Sequence, residues 1–221
     1  MLGDILSGGN IRDIVLSILY MLPAILVSLS CHEWAHAFVA YKCGDPTARN
    51  LGRMTVNPFA HIDPLGFIML IFAGFGWAKP VPVNSRNFKN PRKDDIMVSL
   101  AGIVVNILLL FVFTGIYLIF FIFPQLYNEM IVNFIFPFMS VNAVLAIFNL
   151  LPIPPLDGYR VVEALLVKLI GPRPFMFLQR YGTIILLVLL LSGATSGIIS
   201  AGANFLVETA LNFYGLFLPL I

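Results

Sequence analysis

Two histidines and a glutamate stand close together in a segment that is otherwise apolar enough to cross a membrane: His32-Glu33-Trp34-Ala35-His36. On an α-helix, His32 and His36 lie one turn apart on the same face, with Glu33 beside them. Imidazoles at this spacing can hold a single zinc ion, and the adjacent carboxylate can accept a proton from a water that the metal activates. The pattern therefore predicts a hydrolytic metal site on a helix.

The alternative is a helix with chance polar residues. Ionisable side chains within a membrane helix are costly and usually functional, so chance is the weaker explanation. The chain has three histidines, and two of them are in this motif. Cys31 and Cys43 form neither a C-x-x-C pair nor a disulfide framework, and we expect both to act as small apolar residues.

The composition is that of an integral membrane protein. Of 221 residues, 59% are hydrophobic and 11% charged, and the mean hydropathy is +0.94, values far from those of soluble domains. The net charge of +2 is small, and no basic run alternates with aromatic residues, which excludes nucleic acid as a partner. We expect a single membrane-embedded domain over residues 1–221, with a catalytic core at 12–160 and further helices at 161–221.

Stretches of about 20 apolar residues predict membrane-spanning helices. The clear stretches are residues 14–39, 96–123, 131–151 and 198–218. A further stretch, residues 175–191, is shorter and has Arg180 near one end. We predict an all-α polytopic membrane protein with about five to six transmembrane segments and short extended or re-entrant elements on the cytoplasmic side.

The region after the first helix is predicted to be irregular. The helix itself should run from about residue 12 to residue 42, and residues 47–64 should contain a short extended piece at 53–56. Residues 66–75 are apolar but too short to span, which indicates a re-entrant or interfacial segment. In residues 79–84, two alternating prolines forbid a helix and suit only an edge strand.

These two extended pieces have two possible roles. They could offer a strand edge to the backbone of an unwound substrate, as in β-strand addition. Alternatively, they could form a structural hairpin that closes the cytoplasmic face.

The distribution of basic residues predicts the orientation in the membrane. Residues 42–93 contain eight of the thirteen lysines and arginines, which places this region in the cytoplasm. The N-terminus is then outside and the C-terminus inside, and the histidine motif lies within the membrane near the cytoplasmic face. No small-x-small site precedes the motif, so we expect no cleaved signal.

Two histidines leave zinc one short of the three protein ligands of a catalytic site. The candidates are His61 and the acidic residues. Asp157 is the best of them, because it follows a span that returns to the same depth and a group of helix-breaking prolines, Pro152, Pro154 and Pro155. The alternative role for Asp157 is a helix N-cap, and we expect His61 to be a hydrogen-bonding residue of its loop.

Four ordered motifs carry a family resemblance: HEWAH (32–36), GRMTVNPFAHIDP (52–64), AKPVPVN (78–84) and NLLPIPPLDG (149–158). Together they resemble the site-2 protease family of intramembrane zinc metalloproteases. The resemblance implies that His32, His36 and Asp157 bind one zinc ion, that Glu33 is catalytic and that Asn149 lines the active site. It also implies an enzyme that hydrolyses peptide bonds in or near transmembrane segments, with transmembrane proteins as substrates and the lipid bilayer as its surroundings.

The chain departs from the family pattern in one motif. The family often has Gly-Pro and then Asn at the start of its third core helix, whereas this chain has Gly102 and Asn106 with Ile103 in place of the proline. We expect this replacement of the proline to concern local helix packing and not the metal. No stretch between the core helices is long enough for the PDZ module of many relatives, so the chain resembles the compact form.

Two other functions are compatible with a zinc motif in a membrane protein. A zinc transporter would need a polar path across the membrane, but the later spans offer mainly asparagines. An inactive relative that binds transmembrane helices usually lacks the glutamate or a ligand, whereas this chain keeps Glu33 and all of the predicted ligands. The sequence therefore favours the protease.

Overall fold

The computed structural model describes residues 10–73 and 76–217, and the regular elements in that part of the chain are helices. The α-helices are α1 (Ile11–Lys42), α2 (Thr47–Asn50), α3 (Pro64–Ala73), α4 (Pro91–Ile122), α5 (Glu129–Leu150), α6 (Asp157–Ile170), α7 (Arg173–Leu191) and α8 (Ser196–Gly215). Single 3-10 turns lie at Pro58–Ala60, Ser85–Asn87 and Pro124–Leu126. The all-α polytopic architecture predicted from the sequence is confirmed.

Four of the described helices are long and apolar enough to cross a membrane, namely α1 from Val15, α4, α5 and α7. The shorter stretch at 175–191 is therefore a full candidate span. The predicted span at 198–218 is helical as α8, but it is not one of these four, and Leu218 lies outside the described residues. Asn204 and Glu208 lower the hydropathy of α8.

Helices α4 and α5 pack along each other, and α1 packs against both of them. A core of buried side chains joins α4 and α5 to α8: Leu110, Met139, Ala143, Ala203 and Ala210. Small residues let these helices approach closely, as is usual in membranes. At Gly115, for example, a Cβ would lie 2.8 Å from the hydroxyl of Tyr214, and that hydroxyl donates to the carbonyl oxygen of Phe111 (3.0 Å).

A buried aspartate organises the chain after α1. Gly44 turns the backbone with a φ of 109°, and Asp45, which is fully buried, then accepts hydrogen bonds on both carboxylate oxygens. The donors are the amide of Thr47 (3.1 Å), the side chain of Asn87 (2.7 Å) and the amide of Asn84 (2.7 Å). Burial alone would raise the pKa of Asp45, but these bonds outweigh it and lower the pKa below its usual range.

Residues 79–84, which we call the strap, do not form the predicted edge strand. Among the described residues there is no β-strand, only an isolated bridge between Ile62 and Ala78. Prolines remove amide donors from a ladder, and side chains take over the backbone groups instead: Arg53 donates to the carbonyl oxygens of Lys79 (2.7 Å) and Pro80 (3.3 Å). The prediction of a strand was wrong because a proline-rich segment pairs poorly with another strand.

Two further segments refine the sequence predictions. Residues 47–64, expected to be irregular, contain α2 and a 3-10 turn. Within the apolar stretch predicted at 66–75, residues 66–73 are helical and belong to α3, which has ten residues and at about 1.5 Å per residue is too short to span. Residues 74 and 75 lie outside the described part of the chain.

We predict that Asp45→Ala lowers the free energy of unfolding by about 1–3 kcal/mol, because buried donors lose their acceptor. Thermal unfolding in detergent would measure this. Asp63→Ala is the control, because the Asp63 carboxylate is only half-buried and accepts one hydrogen bond, from the amide of Gly66. The lowered pKa of Asp45 means that its contribution is present at neutral pH and is lost as the pH falls through that value. Equal melting temperatures for the two variants at pH 7 would contradict the prediction.

Candidate active site

Helix α1 and the start of α6 bring together the predicted ligands, His32, His36 and Asp157. The Nε2 atoms of the two histidines are 2.9 Å apart, and each lies 3.2 Å from Oδ2 of Asp157. Both imidazoles are buried, with 4% and 7% of their surface exposed. The three residues form one cluster whose ligand atoms lie within 4.8 Å of one another.

Local backbone geometry places Asp157. It is the first residue of α6, and Leu156 holds the N-cap position, so the N-cap alternative for Asp157 is not realised. The neighbouring Gly158 packs against the end of α5, where a Cβ would lie only 2.2 Å from the carbonyl oxygen of Leu150. Glycine at this position therefore lets α6 begin close enough to α5 to carry Asp157 to the histidines.

The hydrogen-bond partners of the imidazoles fix the direction of their lone pairs. Nδ1 of His36 lies 2.7 Å from the carbonyl oxygen of Val98, and Nδ1 of His32 lies 2.6 Å from Oδ1 of Asn106. Because these oxygens only accept, both Nδ1 atoms carry a proton. When the imidazoles are neutral, their Nε2 lone pairs therefore face the centre of the cluster.

The donor set fits a zinc ion. Oδ2 of Asp157 is buried and has no hydrogen-bond partner, so it faces the two Nε2 lone pairs as a further electron-rich atom. Such an arrangement is repulsive unless a cation lies among the three atoms. Two imidazole nitrogens and a carboxylate oxygen are the protein ligands that catalytic zinc takes, with the fourth position left for water or substrate.

Buried amides from α4 and α5 support His32. Asn106 donates from Nδ2 to Oδ1 of Asn142 (2.8 Å), and Asn142 donates to Oγ of Ser28 (2.8 Å). All three side chains are fully buried. Because its Nδ2 is used in this way, Asn106 turns its oxygen to His32, an outer-shell contact that fixes the tautomer and the ring plane.

The motif at 102–106 thus contacts the cluster through Gly102 and Asn106, while the expected effect of Ile103 on helix packing stays a prediction. A Cβ on Gly102 would lie 2.5 Å from the ring of His32, so the glycine lets α4 approach the imidazole. The sequence held a signal for this role, because an asparagine in an apolar span needs buried partners.

Glu33 is bonded to the strap. Its Oε2 accepts a hydrogen bond from the backbone amide of Val81 (2.8 Å), and its side chain is half-buried. Asn149 lies in the last turn of α5, where its Nδ2 donates to the carbonyl oxygen of Leu145 (3.0 Å). Its predicted place at the active site therefore stays a prediction.

His61 and Cys43 have structural roles. His61 lies outside the cluster, and its Nε2 bonds to the carbonyl oxygen of Thr55 (2.8 Å), which confirms the loop role. Cys43 packs in an apolar cluster with Ala40, Phe88 and Val98, as expected of a small apolar residue. Cys31 is a half-buried free thiol.

We predict that Asn106→Leu weakens zinc binding about 10–100-fold, because His32 loses the oxygen that orients it. Competition with a chelator, followed by metal analysis of the purified protein, would measure the affinity. Asn204→Leu is the matched control, since Asn204 is exposed on α8. Zinc affinity equal to that of the wild type in Asn106→Leu would show that the contact does not orient the ligand.

Comparison with known proteins gives concordant results. The sequence model of peptidase family M50 matches residues 120–193. The chain is 42% identical over 215 residues to "Putative zinc metalloprotease YwhC" of Bacillus subtilis (strain 168), a match that covers 91% of this chain and 94% of that protein. It is 33% identical over 178 residues to "Putative zinc metalloprotease Rip2" of Mycolicibacterium smegmatis, covering 76% of this chain and 65% of that protein.

A second Rip2 protein, from Mycobacterium tuberculosis (strain H37Rv), is 32% identical over 179 residues, covering 78% of this chain and 66% of that protein. No solved structure matches the chain. The near full-length match to YwhC agrees with the apolar helices and with the cluster of two histidines and an aspartate. The chain therefore belongs to peptidase family M50, the site-2 protease family of intramembrane zinc metalloproteases.

Proposed function

We propose that this protein is a zinc endopeptidase that cleaves peptide bonds in or near transmembrane segments of other membrane proteins, the reaction of regulated intramembrane proteolysis. The observation that carries the proposal is the convergence of His32, His36 and Asp157 on one point, next to Glu33. The histidines and the glutamate belong to a helix apolar enough to cross a membrane. We propose one zinc ion per chain.

Each residue then has a chemical role. Zinc, when bound, supplies a Lewis acid that polarises a carbonyl and brings the pKa of a water toward neutrality. Glu33 accepts a proton from the water as the C–O bond forms and the C=O π electrons move to the oxygen, and it then passes that proton to the nitrogen as the C–N bond breaks. His32, His36 and Asp157 hold the metal through their inward-facing atoms.

Asn149 is proposed to donate a hydrogen bond to the oxyanion of the transition state. The proposal rests on the family motif and on its place in the last turn of α5, eight residues before Asp157, the first residue of α6. Its Nδ2 donates one hydrogen bond to the carbonyl oxygen of Leu145, and the second N–H group of the amide is the proposed donor to the oxyanion.

The substrate must present an extended backbone, because the hydrogen bonds of a helix shield its peptide groups. We therefore propose transmembrane proteins whose spans unwind locally at the site. The proposed orientation places the N-terminus outside, the C-terminus inside and the site near the cytoplasmic face. Two facts support it: the histidines are in the last third of α1, and the following region is rich in lysine and arginine.

The buried polar residues favour a protease over a transporter. A transporter would need polar groups free to pass zinc from one side to the other. The amides of Asn106 and Asn142 are instead bonded to each other and to Ser28 and His32. They act as supports of the site and do not form a conducting path among the described residues.

We predict that Glu33→Gln abolishes cleavage while zinc stays bound, because the amide cannot accept the proton. A panel of single-span substrates, incubated with the purified protein in detergent, would show this, and a zinc chelator should stop the wild type in the same assay. Glu163→Gln, at a carboxylate that accepts from Gln179 on the protein surface, should cleave as the wild type does. Cleavage by Glu33→Gln at the wild-type rate would overturn the proposed mechanism.

We predict that Asn149→Ala lowers kcat about 10²–10³-fold, the usual effect of removing one oxyanion donor. The zinc content should not change, since Asn149 is not one of the ligand residues. Asn133→Ala, an exposed position on the same helix, serves as the control. A change confined to KM would indicate a role in substrate binding instead.

A further inference from the structure

The strap reaches Glu33 with a single amide. Between Lys79 and Val83, Pro80 and Pro82 have no N–H group, so the amide of Val81 is the sole backbone donor in that interval. It donates to Oε2 of Glu33 at 2.8 Å. Because of the prolines on both sides, this part of the strap has one backbone N–H donor, and that donor is hydrogen-bonded to the predicted catalytic base.

The strap is fixed at both ends by groups from other parts of the chain. At its start, the amide of Lys79 donates to the carbonyl oxygen of His61 (2.8 Å), and Arg53 holds two carbonyl oxygens. At its end, the amide of Asn84 donates to the buried carboxylate of Asp45 (2.7 Å). Between these anchors, the Val81 side chain is itself buried against Ala37 of α1 and Ala48 of α2.

Resting on the proposed function, we propose that the backbone amide of Val81 is a positioning group for the catalytic base Glu33, and that the strap is the rigid holder that aims this amide. A glutamate has several rotatable bonds, and holding one carboxylate oxygen removes most of that freedom. The other oxygen, Oε1, is then left to meet the water at a fixed place. Small errors in the position of a catalytic group are costly, about 10²-fold in rate for a displacement of about 1 Å.

The prolines serve the same purpose. Their rings lock φ and stiffen the backbone on either side of Val81, and the residues before them are confined to extended conformations. The next amides of the strap, those of Lys79 and Val83, lie two residues away on either side of Val81. The sequence Lys-Pro-Val-Pro-Val thus gives a stiff segment with one donor in a defined direction.

The first test removes the amide alone. Val81→Pro should lower kcat about 10–100-fold with KM and zinc content unchanged, because the base is misplaced while the metal cluster is untouched. Val81→Ala keeps the amide and should retain most of the turnover. Val83→Pro is the matched control: it adds the same ring two residues later, at an amide for which the described residues offer no acceptor.

A backbone ester at position 81, made by incorporating α-hydroxyvaline, removes the N–H group without adding a ring. It serves where Val81→Pro does not accumulate in the membrane. The ester should show the same fall in kcat. Wild-type turnover in both the proline and the ester variants would overturn the proposal, as would a loss of zinc that parallels the loss of turnover.

The second test does not depend on catalysis. Hydrogen exchange of the Val81 amide, measured in the full chain in detergent, should become about five- to tenfold faster in Glu33→Ala, because the amide loses its acceptor. Glu163→Ala should leave it unchanged. Unchanged exchange in Glu33→Ala would overturn the contact itself, whereas a wild type that cleaves no substrate would overturn the proposed function.

Discussion

Three electron-rich atoms that face one another inside a membrane protein can stay together only if a cation lies among them. The Nε2 atoms of His32 and His36 and Oδ2 of Asp157 are in this position, and the rest of the arrangement keeps them there. The two Nδ1 atoms are engaged by Val98 and Asn106, which prevents the imidazoles from turning their protons inward. The fold thus holds a cluster of side chains that could bind a metal ion.

A second constraint follows from burial in an apolar environment. Every polar group in a span must find a partner within the protein. Here a continuous series of hydrogen bonds runs from Ser28 through Asn142 and Asn106 to His32. The chain of amides connects α1, α4 and α5. The same side chains therefore hold the helices together and orient the imidazole of His32.

Patterns among residues close together in the sequence predicted more of the candidate site than did contacts between distant segments. His32, Glu33 and His36 were found from helical spacing alone, because the residues are neighbours on one face. Asp157 required the depth of the returning span and the family motif. The role of Asn106 in orienting His32 was missed, because it depends on how closely α4 approaches α1 at Gly102. The strap was taken for a strand because sequence shows which backbone groups prolines remove, but not which side chains replace the lost partners.

The strap also raises the question of self-cleavage in a protein of a peptidase family. A backbone that lies outside any helix beside a proteolytic centre is itself a potential substrate. Two of the four peptide bonds between Lys79 and Val83 are imide bonds to proline, and the carbonyl oxygens of Lys79 and Pro80 are bonded to Arg53. If Glu33 acts as proposed, the same features that hold the segment still also protect it from self-cleavage next to that glutamate.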